Sequence, residues 1–200
     1  MQYSTAIQIL KFWFGEDYLN WPEKETSRNW FMGGPQFDQA ILSKFEKTIE
    51  ELLVSEFAEP KSSEELVASI LVLDQFTRNI FRGTKKAFRG DDKALSLAKL
   101  AVDKSYYKDL PAHQKIFITM PFEHSEAMQD QLTSLDLFKK IVEQYAEPLK
   151  TKVKGFQGYA DDHYQIIKEF GRYPHRNKTL GRTSTKEELD YIQNGKSFGQ

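Results

Sequence analysis

The feature that most constrains the fold is helical periodicity, which runs through almost the whole chain. Apolar residues recur every three to four positions, as in the stripe formed by Phe37, Ile41, Phe45, Ile49 and Leu52. No segment alternates apolar and polar residues, and no Asn-Gly or Asp-Gly turn separates two β-branched runs. The sequence therefore predicts an all-α protein with no strand.

Capping residues and helix breakers divide this periodicity into about eight antiparallel-packed helices in a single domain, residues 1–200. Ser62 and Glu65 have the spacing of a capping box, Gly171 is expected to end a helix, and Pro121 is expected to end another. The segment between the first two helices is expected to be a loop with at most one helical turn. The predicted helices lie near residues 5–14, 36–57, 62–82, 92–106, 112–120, 125–146, 160–170 and 185–193.

The predicted helix at residues 62–82 is expected to be the central one. It is apolar on nearly all sides from Leu66 to Leu73, which is typical of a helix buried on most faces. Asp74 and Arg78 interrupt its apolar stripe, and charges on a buried face need partners. Two interpretations remain open: an Asp74–Arg78 ion pair that is only structural, or a cleft in which Arg78 or Arg82 binds an anion.

Composition excludes several classes of protein. The chain has 28 Lys and Arg against 29 Asp and Glu, and its net charge of −1 argues against nucleic-acid binding. It has no cysteine, and it lacks the motifs GxxxxGK[ST], GxGxxG, HExxH and GxSxG. No apolar run is long enough to span a membrane, and the first residues do not resemble a secretion signal. We expect a cytoplasmic protein with no cofactor and no metal.

Arginine is concentrated in two short segments, residues 74–90 and 171–182, each with a net charge of +4. These segments hold six of the seven arginines, whereas the lysines are spread over the chain. Arginine suits positions where a rigid, multiple hydrogen-bond donor is fixed against a carboxylate, a phosphate or a carbonyl. The residues expected to bind a ligand are Asp74, Arg78, Arg82, Arg172, His175, Arg176 and Asn177.

Two further segments carry candidate acid–base residues. Glu123 and His124 lie at a predicted helix junction, where helix capping explains neither of them, and His175 lies in a polar loop after Gly171. His124, His175 and Glu123 are therefore the catalytic candidates. His163 is expected to be an ordinary core histidine, because it shares an apolar helical face, and His113 is expected to be exposed.

We expect the three polar segments to meet in one cluster, because each carries hydrogen-bonding groups that its own surroundings do not satisfy. The cluster would place Asp74 and Glu123 against the arginines, with His124 or His175 at its edge. Donors outnumber acceptors in that set. The surplus predicts either a bound anion or backbone carbonyls that accept the remaining hydrogen bonds.

Four ordered motifs carry a family resemblance: ILKFWFGE (9–16), DQFTRNIFRGTKKAF (74–88), PFEHSE (121–126) and FGRYPHRNKTLGRTSTKEEL (170–189). They resemble bacterial domain-of-unknown-function family number 924 over nearly the whole chain. The resemblance implies an all-helical, tetratricopeptide-like fold and supplies no reaction or ligand. The family pattern has Pro at the position of Thr77, so a helix irregularity is not expected there, and Phe at that of Tyr173.

Three functional hypotheses follow from the sequence. The first is a helical binding module whose cleft takes an anionic small molecule or an acidic peptide. The second is a small enzyme that uses His and Glu for acid–base chemistry on a phosphorylated or carboxylate substrate. The third is that the polar motifs are purely structural. The sequence leaves the oligomeric state open.

Overall fold

The computed structural model describes residues 1–56, 58–104 and 106–195, and within those ranges the chain is helical with no strand. The prediction of an all-α fold is confirmed. The α-helices are α1 Tyr3–Phe14, α2 Lys24–Met32, α3 Gly34–Val54, α4 Ser63–Ile70, α5 Thr77–Ile80, α6 Asp91–Asp103, α7 Ala112–His124, α8 Met128–Gln144, α9 Leu149–Phe170, α10 Asn177–Leu180 and α11 Lys186–Asn194. Two short 3₁₀ turns, Lys85–Phe88 and Pro174–Arg176, connect some of them.

The central helix runs from α4 through a π-helical stretch, Leu71–Phe76, into α5. Every residue from 65 to 77 is buried, in agreement with the apolar character of the sequence. The π-helical stretch comes directly before Thr77, so the helix is irregular here although the chain has no proline at this position. Gly90 lies so close to the Leu73 carbonyl that a Cβ atom would collide with it. The start of α6 therefore depends on a glycine to approach the π-helical stretch.

Three helix boundaries differ from those expected. α7 continues through Pro121 to His124, because residues 112–123 are all buried and their packing holds the helix together where the proline lacks a backbone donor. α9 begins at Leu149 instead of near residue 160, and it packs extensively against α8. α2 has nine residues where a loop with at most one helical turn was expected, since Trp30 is buried and its Nε1 donates to the Trp13 carbonyl at 2.8 Å.

One large apolar core joins α1, α3, the central helix, α6, α7 and α8. A second, small apolar cluster lies near the C-terminus, where Ile166, Ile167 and Tyr173 are buried together with Phe170 and Tyr191 at its edge. No helix among the described residues is both long and apolar enough to cross a membrane.

Candidate functional site

A cleft of about 270 Å³ opens between the central helix, α2, α7 and α9. One side is apolar and is formed by Trp30, Phe31, Met120, Phe156 and Tyr159. The other side is polar. The central helix contributes Gln75, Arg78 and Asn79 to it, and the turn after that helix contributes Arg82. Glu123, His124 and His163 complete the polar side. The cleft is thus lined by both apolar rings and charged groups, as small-molecule sites commonly are.

Asp74 and His124 form a hydrogen-bonded pair beside the cleft. The distance from Asp74 Oδ1 to His124 Nδ1 is 2.6 Å, and Gln75 Nε2 donates to Asp74 Oδ2 at 2.5 Å. Burial alone would raise the pKa of Asp74, but the charge and hydrogen bond of His124, with Arg78 and Gln75, hold that pKa below its ordinary value. Asp74 is therefore a carboxylate, and His124 Nδ1 donates to it, which directs the opposite ring nitrogen away from Asp74.

Glu123 and His163 form a second buried pair. The distance from Glu123 Oε1 to His163 Nδ1 is 3.1 Å, and the same nitrogen lies 2.8 Å from the Tyr159 carbonyl oxygen. Burial raises the pKa of Glu123 well above its ordinary value, and the nearby charges of Asp74 and Asp162 act in the same direction. Burial also lowers the pKa of His163 well below its ordinary value, so burial acts against the charged form of both members of this pair.

Arg78 and Arg82 both line the cleft but differ in how they are held. Arg78 is almost fully buried: it donates to Asp91 Oδ2 at 2.7 Å and to the Ala87 carbonyl. Arg82 has 46% of its side chain exposed, and its contacts with Asp38 and Asn79 are 3.3 to 3.4 Å long. The Asp74–Arg78 ion pair that the sequence suggested is replaced by the Arg78–Asp91 pair. Arg82 is the cleft arginine that is loosely held.

The polar loop after α9 contacts the end of α7. Arg176 Nη1 donates to the His124 carbonyl at 2.9 Å, and the Tyr173 hydroxyl donates to the Glu123 carbonyl. Burial and the charge of Arg78 lower the pKa of Arg176 to about 10. These bonds fix the end of α7, the segment that presents Glu123 and His124 to the cleft. Backbone carbonyls thus accept part of the donor surplus that the sequence predicted.

The remaining candidates lie outside the cleft. His175 lines a small separate cavity with Arg78, Arg82 and Phe88, and burial lowers its pKa to about 4. Arg172 donates to both carboxylate oxygens of Glu188, at 2.6 and 2.8 Å.

Asn177 donates to Glu188 Oε2 at 3.1 Å and to Ser184 Oγ at 3.0 Å. Arg172 and Asn177 therefore hold the C-terminal helix α11 in place and do not face the cleft.

The surroundings of two histidines differ, wholly or in part, from those expected. His113 was expected to be exposed, yet it is 1% exposed, and its Nε2 lies 3.0 Å from the Tyr18 carbonyl oxygen. His163 is buried as expected, but it faces Glu123 and the cleft instead of a purely apolar core. The aromatic side of the cleft was also missed. Its residues carried no signal in the sequence because they read as ordinary apolar positions.

Glu123, His124 and His163 come together more closely than their sequence positions suggest. Each offers one oxygen or nitrogen atom that can bind a metal, and these three atoms all lie within 4.8 Å of one another. Two imidazoles and one carboxylate are a common ligand set for zinc and for other transition metals. Among the described residues, this cluster has the composition of a metal site.

Comparisons with known proteins support the fold and leave the ligand open. The sequence profile of a family described as bacterial protein of unknown function (DUF924) matches residues 9–196. The solved structure of a protein of unknown function, ATU0120 from Agrobacterium tumefaciens, is similar with a TM-score of 0.77 and 26% sequence identity, over 96% of this chain and 98% of that chain. No curated protein is significantly similar to the chain.

Proposed function

The chain belongs to the bacterial DUF924 family of unknown function, and we propose that it binds a small molecule with a carboxylate or phosphate group in the cleft. The observation that carries this proposal is the position of Arg82. It lies at the polar side of a concave site, half exposed, with long contacts to Asp38. Such a solvated pair contributes little to folding, so its guanidinium is available to an anionic ligand.

The apolar side of the cleft supports a ligand that also has an apolar part. Phe31 and Tyr159 are each more than half exposed at the rim, and Trp30 and Phe156 lie behind them. Exposed aromatic rings around a pocket are typical of ligand contact. An acidic peptide, the other partner suggested by the sequence, fits less well because the cleft is small.

The same four aromatic residues also line a shallower groove whose rim carries Lys24 and Lys152. The groove therefore extends the apolar side of the cleft and adds two further positive charges. A ligand longer than the cleft would lie along these rings with its acidic group at Arg82.

A thermal-shift titration in the presence of EDTA tests this proposal. The probes are inorganic phosphate, phosphorylated sugars, and mono- and dicarboxylic acids with an aromatic or alkyl body. A ligand at 100 times its dissociation constant stabilises the protein by about 2.7 kcal/mol. We expect stabilisation by at least one probe, and we expect Arg82→Ala to remove it.

Arg89→Ala is the matched control. Arg89 belongs to the same basic segment, is exposed and does not line the cleft, so this variant removes the same charge from a neighbouring position. Arg89→Ala is expected to bind the probe as wild type does. Equal losses in both variants would show general charge attraction, and the absence of any stabilising probe would support the purely structural hypothesis.

The Asp74–His124 pair favours a second candidate, an enzyme that uses His124 as a general base. A carboxylate that holds one imidazole nitrogen fixes the tautomer and the orientation of the ring, so the other nitrogen is set to take a proton. The short 2.6 Å contact and the place of His124 in the cleft wall meet this geometric requirement.

Turnover of chromogenic carboxylate and phosphate esters tests the enzyme candidate. General-base catalysis typically contributes about 100- to 10,000-fold, so His124→Gln is expected to lower kcat by that factor. His175→Gln is the control, since His175 lies outside the cleft. Ligand binding without turnover would leave the binding module as the function.

The organisation of the protein is proposed on the same basis. Helix pairs that follow one another in sequence, such as α7 with α8 and α8 with α9, pack side by side, which supports a tetratricopeptide-like array with a concave surface. We also propose that the chain is a single domain and that it acts in the cytoplasm on a soluble small molecule.

A further inference from the structure

The cluster of Glu123, His124 and His163 has a geometry that anion binding does not require. Glu123 and His124 are adjacent in sequence, and adjacent residues seldom bind one ion from within a helix. Here they form the end of α7, and His163 reaches them from α9. Their ligating atoms lie within 4.8 Å of one another. Small side-chain movements would bring all three atoms to about 2.0 to 2.2 Å from one metal ion, the usual length of such bonds.

Both imidazoles are oriented by oxygen atoms at Nδ1. Asp74 Oδ1 lies 2.6 Å from Nδ1 of His124, and the Tyr159 carbonyl lies 2.8 Å from Nδ1 of His163. A carbonyl oxygen can only accept a hydrogen bond, so His163 donates from Nδ1, and Nε2 is the ring nitrogen that remains to bind an ion. Metal-binding histidines are held in this way by a carboxylate or carbonyl behind them, which orients the ring.

The charges around Glu123 also favour a cation. The Glu123 side chain is 3% exposed, and its Oε1 lies 3.1 Å from Nδ1 of His163, whose pKa burial lowers. Asp74 is 1% exposed and accepts a hydrogen bond from His124, the residue next to Glu123 in the chain. Two buried carboxyl groups in one cluster are compensated best by a positive charge between them, because a buried carboxylate is otherwise costly.

We propose that Glu123, His124 and His163 bind a divalent first-row transition metal ion, with Asp74 holding His124 in place. The proposal goes beyond anion binding and does not depend on it. Three protein ligands leave further coordination positions on the ion for water or for a ligand in the cleft. The aromatic wall and Arg82 line the same cleft, so a bound carboxylate or phosphate would meet both Arg82 and the metal.

Metal binding is tested on the intact chain after removal of metal with a chelator. Isothermal titration calorimetry with Zn²⁺ and Mn²⁺ is expected to show one site per chain. Co²⁺ serves as a spectroscopic probe, and its visible d–d absorption should report nitrogen and oxygen ligation in the unaltered protein. The absence of saturable binding of Zn²⁺, Mn²⁺ and Co²⁺ would overturn the proposal, even if an anionic ligand stabilises the metal-free protein.

Substitutions then locate the site. Glu123→Gln and His163→Gln are expected to abolish the Co²⁺ spectrum, and Asp74→Asn is expected to weaken Zn²⁺ binding about 10- to 100-fold, since it acts through His124. His175→Gln and His113→Gln remove histidines that lie elsewhere and should leave the spectrum unchanged. Circular dichroism of each variant checks that it is folded. A Co²⁺ spectrum that persists in folded Glu123→Gln and His163→Gln would place the ion at another site and contradict the proposal.

Discussion

The cleft and the C-terminal network are built from the same residue types, yet they differ in how their charges are paired. In the C-terminal network, Arg172 donates to both oxygens of Glu188, and Arg182 donates to both oxygens of Glu126 at 2.7 and 3.0 Å. In the cleft, the partners of the carboxyl groups are histidines, whereas in the C-terminal network they are arginines. Asp74 pairs with His124, and the more exposed of the two cleft arginines, Arg82, has only long contacts.

This difference is the reason for assigning a structural role to the C-terminal network and for proposing a binding role for the cleft. Two-point pairing with a carboxylate satisfies both groups and leaves nothing for a ligand. The hydrogen bond of Glu188 to Arg172 lowers the pKa of Glu188 to about 2, and its bonds to the Thr185 backbone and to Asn177 act in the same direction. The cleft keeps titratable and cationic groups at a concave surface, where a small molecule can reach them.

The largest loss of stability is expected in the central helix, which lines the cleft and belongs to the main core. Leu71 is fully buried in the central helix, and Leu71→Ala is expected to cost about 2–5 kcal/mol of unfolding free energy because it leaves a cavity. Leu189→Ala is the matched change near the C-terminal network. Leu189 is 51% exposed, so its loss should stay within about 0.5 kcal/mol. Urea denaturation measures both, and a loss below 1 kcal/mol at Leu71 would show that the central helix is peripheral.

A smaller loss of stability is expected when the pH is lowered. Burial, with the charge of Arg176, lowers the pKa of His175 from 6.5 to about 4. Between those two values the unfolded chain binds a proton that the folded chain does not, so stability falls as the pH falls from 6.5 to 4. For one histidine the loss is on the order of 3 kcal/mol.

The unfolding free energy, measured by urea denaturation from pH 7 to pH 4, checks this prediction. His175→Gln is expected to flatten part of the decline. The rest of the decline should remain in this variant, because burial also lowers the pKa values of His113 and His163. A profile that His175→Gln leaves unchanged would contradict the assigned burial of this side chain.

Matched glutamate substitutions compare the two networks directly. Glu188→Gln removes a carboxylate that accepts hydrogen bonds from Arg172, Asn177 and the Thr185 backbone, and it is expected to cost about 1–3 kcal/mol. Glu123→Gln replaces a buried carboxyl group that has no cationic side chain bonded to it among the described residues. It is expected to change stability by less than about 1 kcal/mol. Equal losses of stability would mean that both networks are structural.

The smallest effect on stability is expected at Arg82. Its guanidinium is half exposed, so Arg82→Ala should change the unfolding free energy by no more than about 0.5 to 1 kcal/mol while removing ligand binding. Differential scanning calorimetry without ligand measures the first quantity. A large destabilisation would show that the contact with Asp38 supports the fold, and Arg82 would then belong with the structural arginines.

Sequence patterns found the helices wherever an apolar stripe or a cap was present. Ser62 accepts from the Glu65 backbone at 3.2 Å, and Gly171 ends α9 with φ 70°, both as expected from their residue types. α2 and the first half of α9 were missed because their packing depends on single buried residues such as Trp30 and Val153. The persistence of α7 through Pro121 had no local signal, since long-range packing maintains that helix.

The sequence by itself determined the all-α fold, the buried central helix and the polar segments that need partners, because periodicity and the cost of burying charge are local properties. Only the tertiary structure decided which partners these groups have. Arg172 and Arg78 are bound by Glu188 and Asp91, which lie 16 and 13 residues away in the chain, and His163 joins Glu123 across α7 and α9. Pairing between distant residues depends on how the helices pack, and no spacing rule within one helix specifies it.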